Sequence, residues 1–166
     1  PSSIKIHKRP IPRIGGVAIF AGFILSLIFS NTLAPRQESV LIGGSLALIV
    51  GLVDDVHPVP AWVKLVVLFV ITWFLAVRGI MLHLIPGMPW ANFLLTLFWI
   101  VGVTSAFNAM DHMDGVASGL TFFASLAYAY VAIQNGNWAW GALAVALTGS
   151  SLGFLVYNFP PASIFM

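Results

Sequence analysis

The chain has no cysteine, and only 7% of its 166 residues are charged. The first absence excludes disulfides and thiolate metal sites, and it leaves the redox compartment unread. The second excludes a soluble domain, in which roughly a quarter of residues are charged. Acids are the scarcest charge, five against seven Lys and Arg, and the formal net charge of +2 is too small to point to nucleic acid. Internal repeats, low-complexity tracts and linkers are also missing, so one membrane domain over residues 1–166 is the expected organisation. What the chain has is apolar surface, with 60% hydrophobic residues. A chain of this length cannot bury so much in its own core and needs lipid as solvent. The expected fold is therefore all-α and polytopic in a membrane. Pro1 opens the sequence in place of a Met, and the following "KIHKRPIPR" lacks a signal peptide's pattern. The chain is expected to be a fragment of a larger multi-helix protein.

A helix crossing about 30 Å of hydrocarbon needs about 20 apolar residues. Six segments qualify, at Ile14–Leu33, Ser39–Val53, Trp62–Met81, Trp90–Phe107, Val116–Gln134 and Trp138–Tyr157. Short connections make neighbours antiparallel. The excess of Lys and Arg in cytoplasmic loops orients them. With the N-terminus inside, Lys5, Lys8, Arg9, Arg13 and Lys64 are cytoplasmic and only Arg36 and Arg78 are external. Residues 1–13 then form a cytoplasmic basic loop, and "PGMP" and "QNGN" read as external turns. This topology puts the polar motifs on one membrane face, and four of the five acids lie in two of them: "GLVDDVHPVP" and "SAFNAMDHMDG".

Asp54 and Asp55 follow an apolar run of about 15 residues, or about 22 Å of helix, which places them at or just beneath the interface. Ionised carboxylates there need water, a cation or a partner. A solvated helix end accounts for them, but acids at a helix C-terminus oppose the macrodipole, so something else should favour them. Asn108, Asp111 and Asp114 recur every third residue and would form a polar stripe if helical; a hydrated loop of turn formers accounts for them equally. Oxygen donors of this kind suit Mg²⁺, which takes one or two protein ligands and completes its shell with water and phosphate. Acids gathered with basic residues beside them describe a site for a Mg²⁺-bound phosphorylated substrate. Lys64 reads either as a lysine snorkelling to the headgroups or as a point charge for phosphate. The four His lack metal-ligand spacing.

Four stretches, in order and across nearly the whole chain, resemble the polyprenyl-phosphate N-acetylhexosamine-1-phosphate transferases: "KRPIPRIGGVAIF", "GLVDDVHPVPAWVKL", "NAMDHMDGVASGL" and "LGFLVYNFPPASIFM". The second and fourth look closer to the GlcNAc-1-phosphate branch than to the peptidoglycan branch. The resemblance implies catalytic roles for Asp54 and Asp55, either in handling the lipid phosphate or in positioning metal and phosphates. It implies that Lys64 contacts the diphosphate or the lipid phosphate. Asn108 matches a Mg²⁺ ligand, Asp111 an acid of the same stripe, and Asp114 a residue that hydrogen-bonds uracil. Asn158 and Phe165 match nucleoside-pocket residues, and Arg13 falls in a basic loop near the substrate. Ser105 and His112 depart from the usual pattern beside the site. The family also continues past the position of Met166 with a Gly-Asp pair whose acid is a metal ligand, so this chain resembles a central portion, expected to be inactive alone.

The implied activity is transfer of N-acetylhexosamine-1-phosphate from a UDP-sugar such as UDP-GlcNAc to a polyprenyl phosphate. It would take place at the cytoplasmic face of the cell membrane, with Mg²⁺ (or Mn²⁺) as cofactor and lipid and a second copy of the chain as partners. The alternatives are a phospho-N-acetylmuramoyl-pentapeptide transferase and a catalytically incomplete membrane relative. A secondary transporter would place its charges near the membrane midplane, and an intramembrane aspartyl protease would oppose two acids across helices; neither fits acids adjacent at a helix end.

Overall fold

The computed structural model describes residues 15–30, 33–111 and 113–164, and these form six α-helices with no strand among the described residues. They are α1 (Gly15–Ser30), α2 (Pro35–Val56), α3 (Ala61–Val77), α4 (Pro89–Met110), α5 (Val116–Gln134) and α6 (Trp138–Asn158). Helices α2, α4, α5 and α6 are long and apolar enough to cross a membrane, and α1 and α3 are shorter apolar helices. The chain is thus an all-helical, multi-pass membrane protein. The basic stretch 1–13 lies outside the described residues.

The expected boundaries hold for α5 and within a residue for α6, but α2 requires a correction. It starts four residues earlier than its apolar pattern, at Pro35, and ends at Val56. Proline suits a helix's first turn because its missing N–H would have no partner there. The Gln37 side chain then folds back to accept the Ala34 backbone N–H at 2.7 Å. With 22 residues, α2 is a full span of about 33 Å, and Asp54 and Asp55 sit inside its last turn, not beyond a short helix. His57 closes the helix through its backbone N–H to the Val53 carbonyl, 2.7 Å. Pro58 and Pro60 prevent continuation until α3 begins at Ala61.

The described residues gather into two compact units. In one, α5 packs on α6 and α6 on α1. Small buried residues let the backbones approach, as is usual between membrane helices: Ala117, Ala129, Ala132 and Ala144 are all buried. A Cβ on Gly141 would meet Ile133 Cγ1 at 2.8 Å, closer than atoms can pack. The buried Thr148 hydroxyl donates to Ser125 Oγ at 2.9 Å and ties α6 to α5. Large apolar side chains such as Phe123, Tyr130 and Val156 face outward, each at least 66% exposed, as a lipid solvent permits.

The second unit comprises α2, α3 and α4 up to Ala109. Helix α2 packs on α3, where Gly43 leaves room for Ile71. Phe93 of α4 meets Phe69 and Trp73 of α3 edge-on, at 5.8 and 5.6 Å. The α3–α4 connection turns at Gly79 and Gly87, both at φ +74°, and two buried α4 side chains hold it. Asn92 Oδ1 accepts the backbone N–H groups of Leu84 and Ile85, at 3.0 and 2.9 Å, and its Nδ2 donates to the Ile85 carbonyl at 2.9 Å. Thr96 Oγ1 accepts from Leu82 N–H at 3.0 Å.

Asn92→Ala takes the partner from three backbone groups, so at about 1–3 kcal/mol per stranded group it is expected to cost about 3 kcal/mol, the low end because Leu84 and Ile85 lie in an exposed connection. Thermal unfolding in detergent should show the loss, with faster proteolysis confined to residues 78–88. Unchanged stability would mean the loop holds its shape without Asn92.

Candidate functional site

Two polar clusters are built by the described residues, one in each unit. The first joins the end of α2 to the start of α3. Asp54 is 30% exposed, and its Oδ2 accepts from Lys64 Nζ at 2.5 Å. Its Oδ1 accepts the Val59 backbone N–H at 2.8 Å. The proline-rich turn makes this possible, because it bends the chain back so that Val59 points its N–H at the helix it has just left. Both Asp54 oxygens are therefore engaged within the protein. Asp55, one residue on, projects about 100° away around the helix and is exposed. No hydrogen bond or ion pair among the described residues ends on it. The adjacent acids thus divide: Asp54 anchors Lys64, and Asp55 offers an open carboxylate. Lys64 has three N–H donors; Asp54 takes one, and the side chain is 34% exposed.

Asn108 lies on the last turn of α4 and is exposed. The stripe of Asn108, Asp111 and Asp114 is not continuous helix. Helix α4 ends at Met110, and Asp111 and Asp114, both half-buried, lie in the turn before α5. Gly115 ends that turn at φ +73°, a conformation that favours glycine. Its missing Cβ would also meet Pro160 Cδ at 3.4 Å and the Asn158 carbonyl at 3.6 Å.

That close approach belongs to the second cluster, which joins the start of α5 to the end of α6 and the segment after it. Asp114 Oδ2 accepts the Ala162 backbone N–H at 3.1 Å. Asn158, 5% exposed, accepts on Oδ1 from Gly115 N–H at 3.0 Å and from the Ser118 hydroxyl at 2.7 Å. Its Nδ2 donates to the Ile164 carbonyl at 3.0 Å. Ser163 returns to the Tyr157 carbonyl through both its N–H and its hydroxyl, at 2.9 Å each. Two sequence-selected residues, Asp114 and Asn158, are thus brought onto one short segment. Ser118 completes the cluster and was not expected; its signal was a small polar residue one turn into an apolar helix. Arg13, His112 and Phe165 lie outside the described residues.

Among the described residues no three His, Asp or Glu side chains stand close enough to form a metal cage. Asp55 and Asn108 are exposed oxygen donors, the type that Mg²⁺ takes one or two of when phosphates supply the others. Away from the chemistry, an open apolar groove of about 490 Å³ lies at the opposite end of α3 from Lys64, lined by Trp73, Met81, Trp90 and Phe93 among others. It carries no reactive group.

Asp54→Asn and Lys64→Met remove the same contact. Their effects on substrate binding should therefore be less than additive in a double-mutant cycle, with a coupling of about 0.5–3 kcal/mol. Full additivity would show that the pair does not act as a unit.

Known proteins are similar to this chain. The sequence profile of the family described as Glycosyl transferase family 4 matches residues 38–166. A probable undecaprenyl-phosphate N-acetylglucosaminyl 1-phosphate transferase of Bacillus subtilis (strain 168) is 32% identical over 100% of this chain and 49% of its own length. A phospho-N-acetylmuramoyl-pentapeptide-transferase of Moorella thermoacetica is 34% identical over 97% of the chain and 57% of its own. A decaprenyl-phosphate N-acetylglucosaminephosphotransferase of Mycobacterium tuberculosis is 27% identical over 100% of the chain and 48% of its own. The chain spans about half the length of the curated relatives it matches. With its membrane helices ending in paired acids, a lysine-anchored turn and a clamped Asn-Phe-Pro-Pro segment, the chain belongs to glycosyl transferase family 4.

Proposed function

We propose that the protein transfers an N-acetylhexosamine-1-phosphate from a UDP-sugar to a polyprenyl phosphate at the cytoplasmic face of the cell membrane. The observation that carries this reading is the charge arrangement at the end of α2. A partly exposed ammonium fixed by Asp54 and an exposed Asp55 carboxylate both lie where a membrane-length helix ends and the next begins. The nucleophile's tail needs lipid while the nucleotide sugar is water-soluble, so reacting groups belong where a membrane helix ends. The names of the relatives add the class of lipid acceptor and sugar.

In the reaction an oxygen of the polyprenyl phosphate attacks the β-phosphorus of the UDP-sugar. A new P–O bond forms, the bond from that phosphorus to the oxygen shared with the α-phosphate breaks, and its electron pair leaves with UMP. The product is a lipid-linked diphospho-sugar. Such a reaction is mostly positioning and charge neutralisation. Lys64 would draw the lipid phosphate to the helix end through the N–H donors that Asp54 leaves over. Asp55 would orient the phosphates; for Asp114 and Asp111, in the other unit, the family resemblance implies a contact to the nucleotide and a place in the acidic stripe. A Mg²⁺ ion held by Asn108 and Asp55 would supply neutralisation of phosphate charge.

A second reading, transfer of phospho-N-acetylmuramoyl-pentapeptide, is favoured by the 34% identity with the Moorella thermoacetica protein. The two differ in the donor they consume. With full-length protein in undecaprenyl-phosphate vesicles, UMP release from UDP-GlcNAc and not from UDP-N-acetylmuramoyl-pentapeptide is the expected outcome. The reverse preference would replace the first reading with the second. Release should require divalent metal and stop with chelator. Asp55→Asn and Asn108→Ala should each lower turnover about 10²-fold, the size of a lost charge-stabilising contact. Wild-type turnover in both would sink the site assignment.

The orientation has its own test. Single cysteines at His57 and Met113 should react with an impermeant thiol reagent from the cytoplasmic side, and cysteines at His83 and Asn135 from the opposite side. Labelling of His57 and His83 positions from one side would refute the proposed topology.

A further inference from the structure

The second cluster carries a role for a residue that the reaction itself does not call for. Ser118 is fully buried on the first turn of α5. Its hydroxyl has one hydrogen to give, and the 2.7 Å contact to Asn158 Oδ1 is much shorter than the 3.4 Å contact to the Gly115 carbonyl. The Asn158 amide can take only one orientation here. Gly115 N–H can only donate and the Ile164 carbonyl can only accept, so the oxygen must face α5 and the nitrogen must face the segment. With both lone pairs of Oδ1 filled, from Gly115 just before α5 and from Ser118 in its first turn, Nδ2 is aimed at Ile164. Asp114 grips the same segment two residues earlier, through Ala162 N–H. The carboxylate and the Pro160–Ile164 segment are therefore locked in one register by Asn158, and the lock closes on Ser118.

We infer that Ser118 is a positioning residue for the nucleotide-sugar subsite. It fixes Asn158, Asn158 fixes the Pro160–Ile164 segment, and the segment fixes Asp114 in the orientation that receives the nucleotide. Asn158 then acts through the segment, and its own oxygen is spent inside the protein. This rests on the reading that the Asp114 end of the unit takes the UDP-sugar.

The test uses full-length protein in undecaprenyl-phosphate vesicles with UDP-GlcNAc as donor. Ser118→Ala should raise KM for the UDP-sugar about fivefold, the worth of about one hydrogen bond. It should leave kcat within about twofold and KM for undecaprenyl phosphate unchanged, and Ser118→Thr, which keeps the hydroxyl, should restore most of the donor KM. Asn158→Asp supplies an independent readout. It keeps the bonds from Gly115 and Ser118 but turns a carboxylate on the Ile164 carbonyl, and only the protonated acid can donate there. Its KM for the UDP-sugar should fall toward wild type as pH is lowered, with no such trend in the wild-type enzyme. If Ser118→Ala does not accumulate in membranes, this pH profile decides alone. An unchanged donor KM in Ser118→Ala, an equal loss for donor and lipid, or a flat profile in Asn158→Asp would overturn the assignment. A wild-type enzyme that turned over no UDP-sugar would instead overturn the underlying reading, and this inference with it.

Discussion

Hydrocarbon offers no hydrogen-bond partner, and this constraint arranges nearly everything in the chain. A polar group facing lipid forfeits several kcal/mol, so polar side chains turn inward and apolar ones outward. The buried side chains include Gln37, Ser39, Thr72, Asn92, Thr96, Ser118, Ser125, Thr148, Ser151 and Asn158, while Phe29, Phe98 and Val156 are more than 70% exposed. Most of the buried hydroxyls satisfy themselves on the carbonyl four residues back, as Ser39, Thr72 and Ser151 do. Those that reach further do structural work. Thr148 joins two helices, Asn92 and Thr96 hold a connection, and Asn158 and Ser118 clamp a segment.

The same constraint explains which parts were legible in the sequence. Helices α5 and α6 lie between turn formers, so composition alone bounded them. Helix α2 did not, because Arg36, Gln37 and Glu38 look like a loop. The helix absorbs them through Pro35 in its first turn and Gln37 folded onto the Ala34 N–H, neither of which hydropathy registers. A three-residue spacing of Asn108, Asp111 and Asp114 fits a helix, but Gly115 needs positive φ, and the turn it permits ends the pattern. Asn92 was overlooked for the opposite reason: an isolated amide in an apolar span looks incidental, although its cost in lipid already implied partners nearby.

Candidate site residues were legible as types and illegible as roles. Asp54 and Asp55 are neighbours of identical chemistry, and only the turn geometry distinguishes them. Pro58 and Pro60 bend the chain so that Val59 and Lys64 both reach Asp54. Asn158 shows the converse. Resemblance marks it as part of a nucleoside pocket, and what the sequence did not show is its burial and its three hydrogen bonds within the protein, which shape a segment.

The placement of Asp54, Asp55 and Lys64 has an electrostatic cost that bears on why a membrane protein would carry them. Backbone dipoles make a helix C-terminus negative and an N-terminus positive, so acids are disfavoured at the end of α2 and a lysine is disfavoured near the start of α3. Pairing Asp54 with Lys64 offsets part of this, but a partly exposed ion pair is worth only about 0–1 kcal/mol, and Asp55 has no such offset among the described residues. For stability alone, uncharged residues at these positions would serve as well or better. The unfavourable terms acquire a use once ligands are considered. At the start of α3 the unpaired backbone N–H groups and the Lys64 donors that Asp54 leaves over are the groups an anion such as phosphate takes. At the end of α2 the Asp55 carboxylate and the dipole add to one negative field, which attracts a cation. Two helix ends joined by a short proline turn therefore gather hydrogen-bond donors for an anion and an exposed carboxylate into the stretch from Asp54 to Lys64, a combination that stability alone gives no reason to keep.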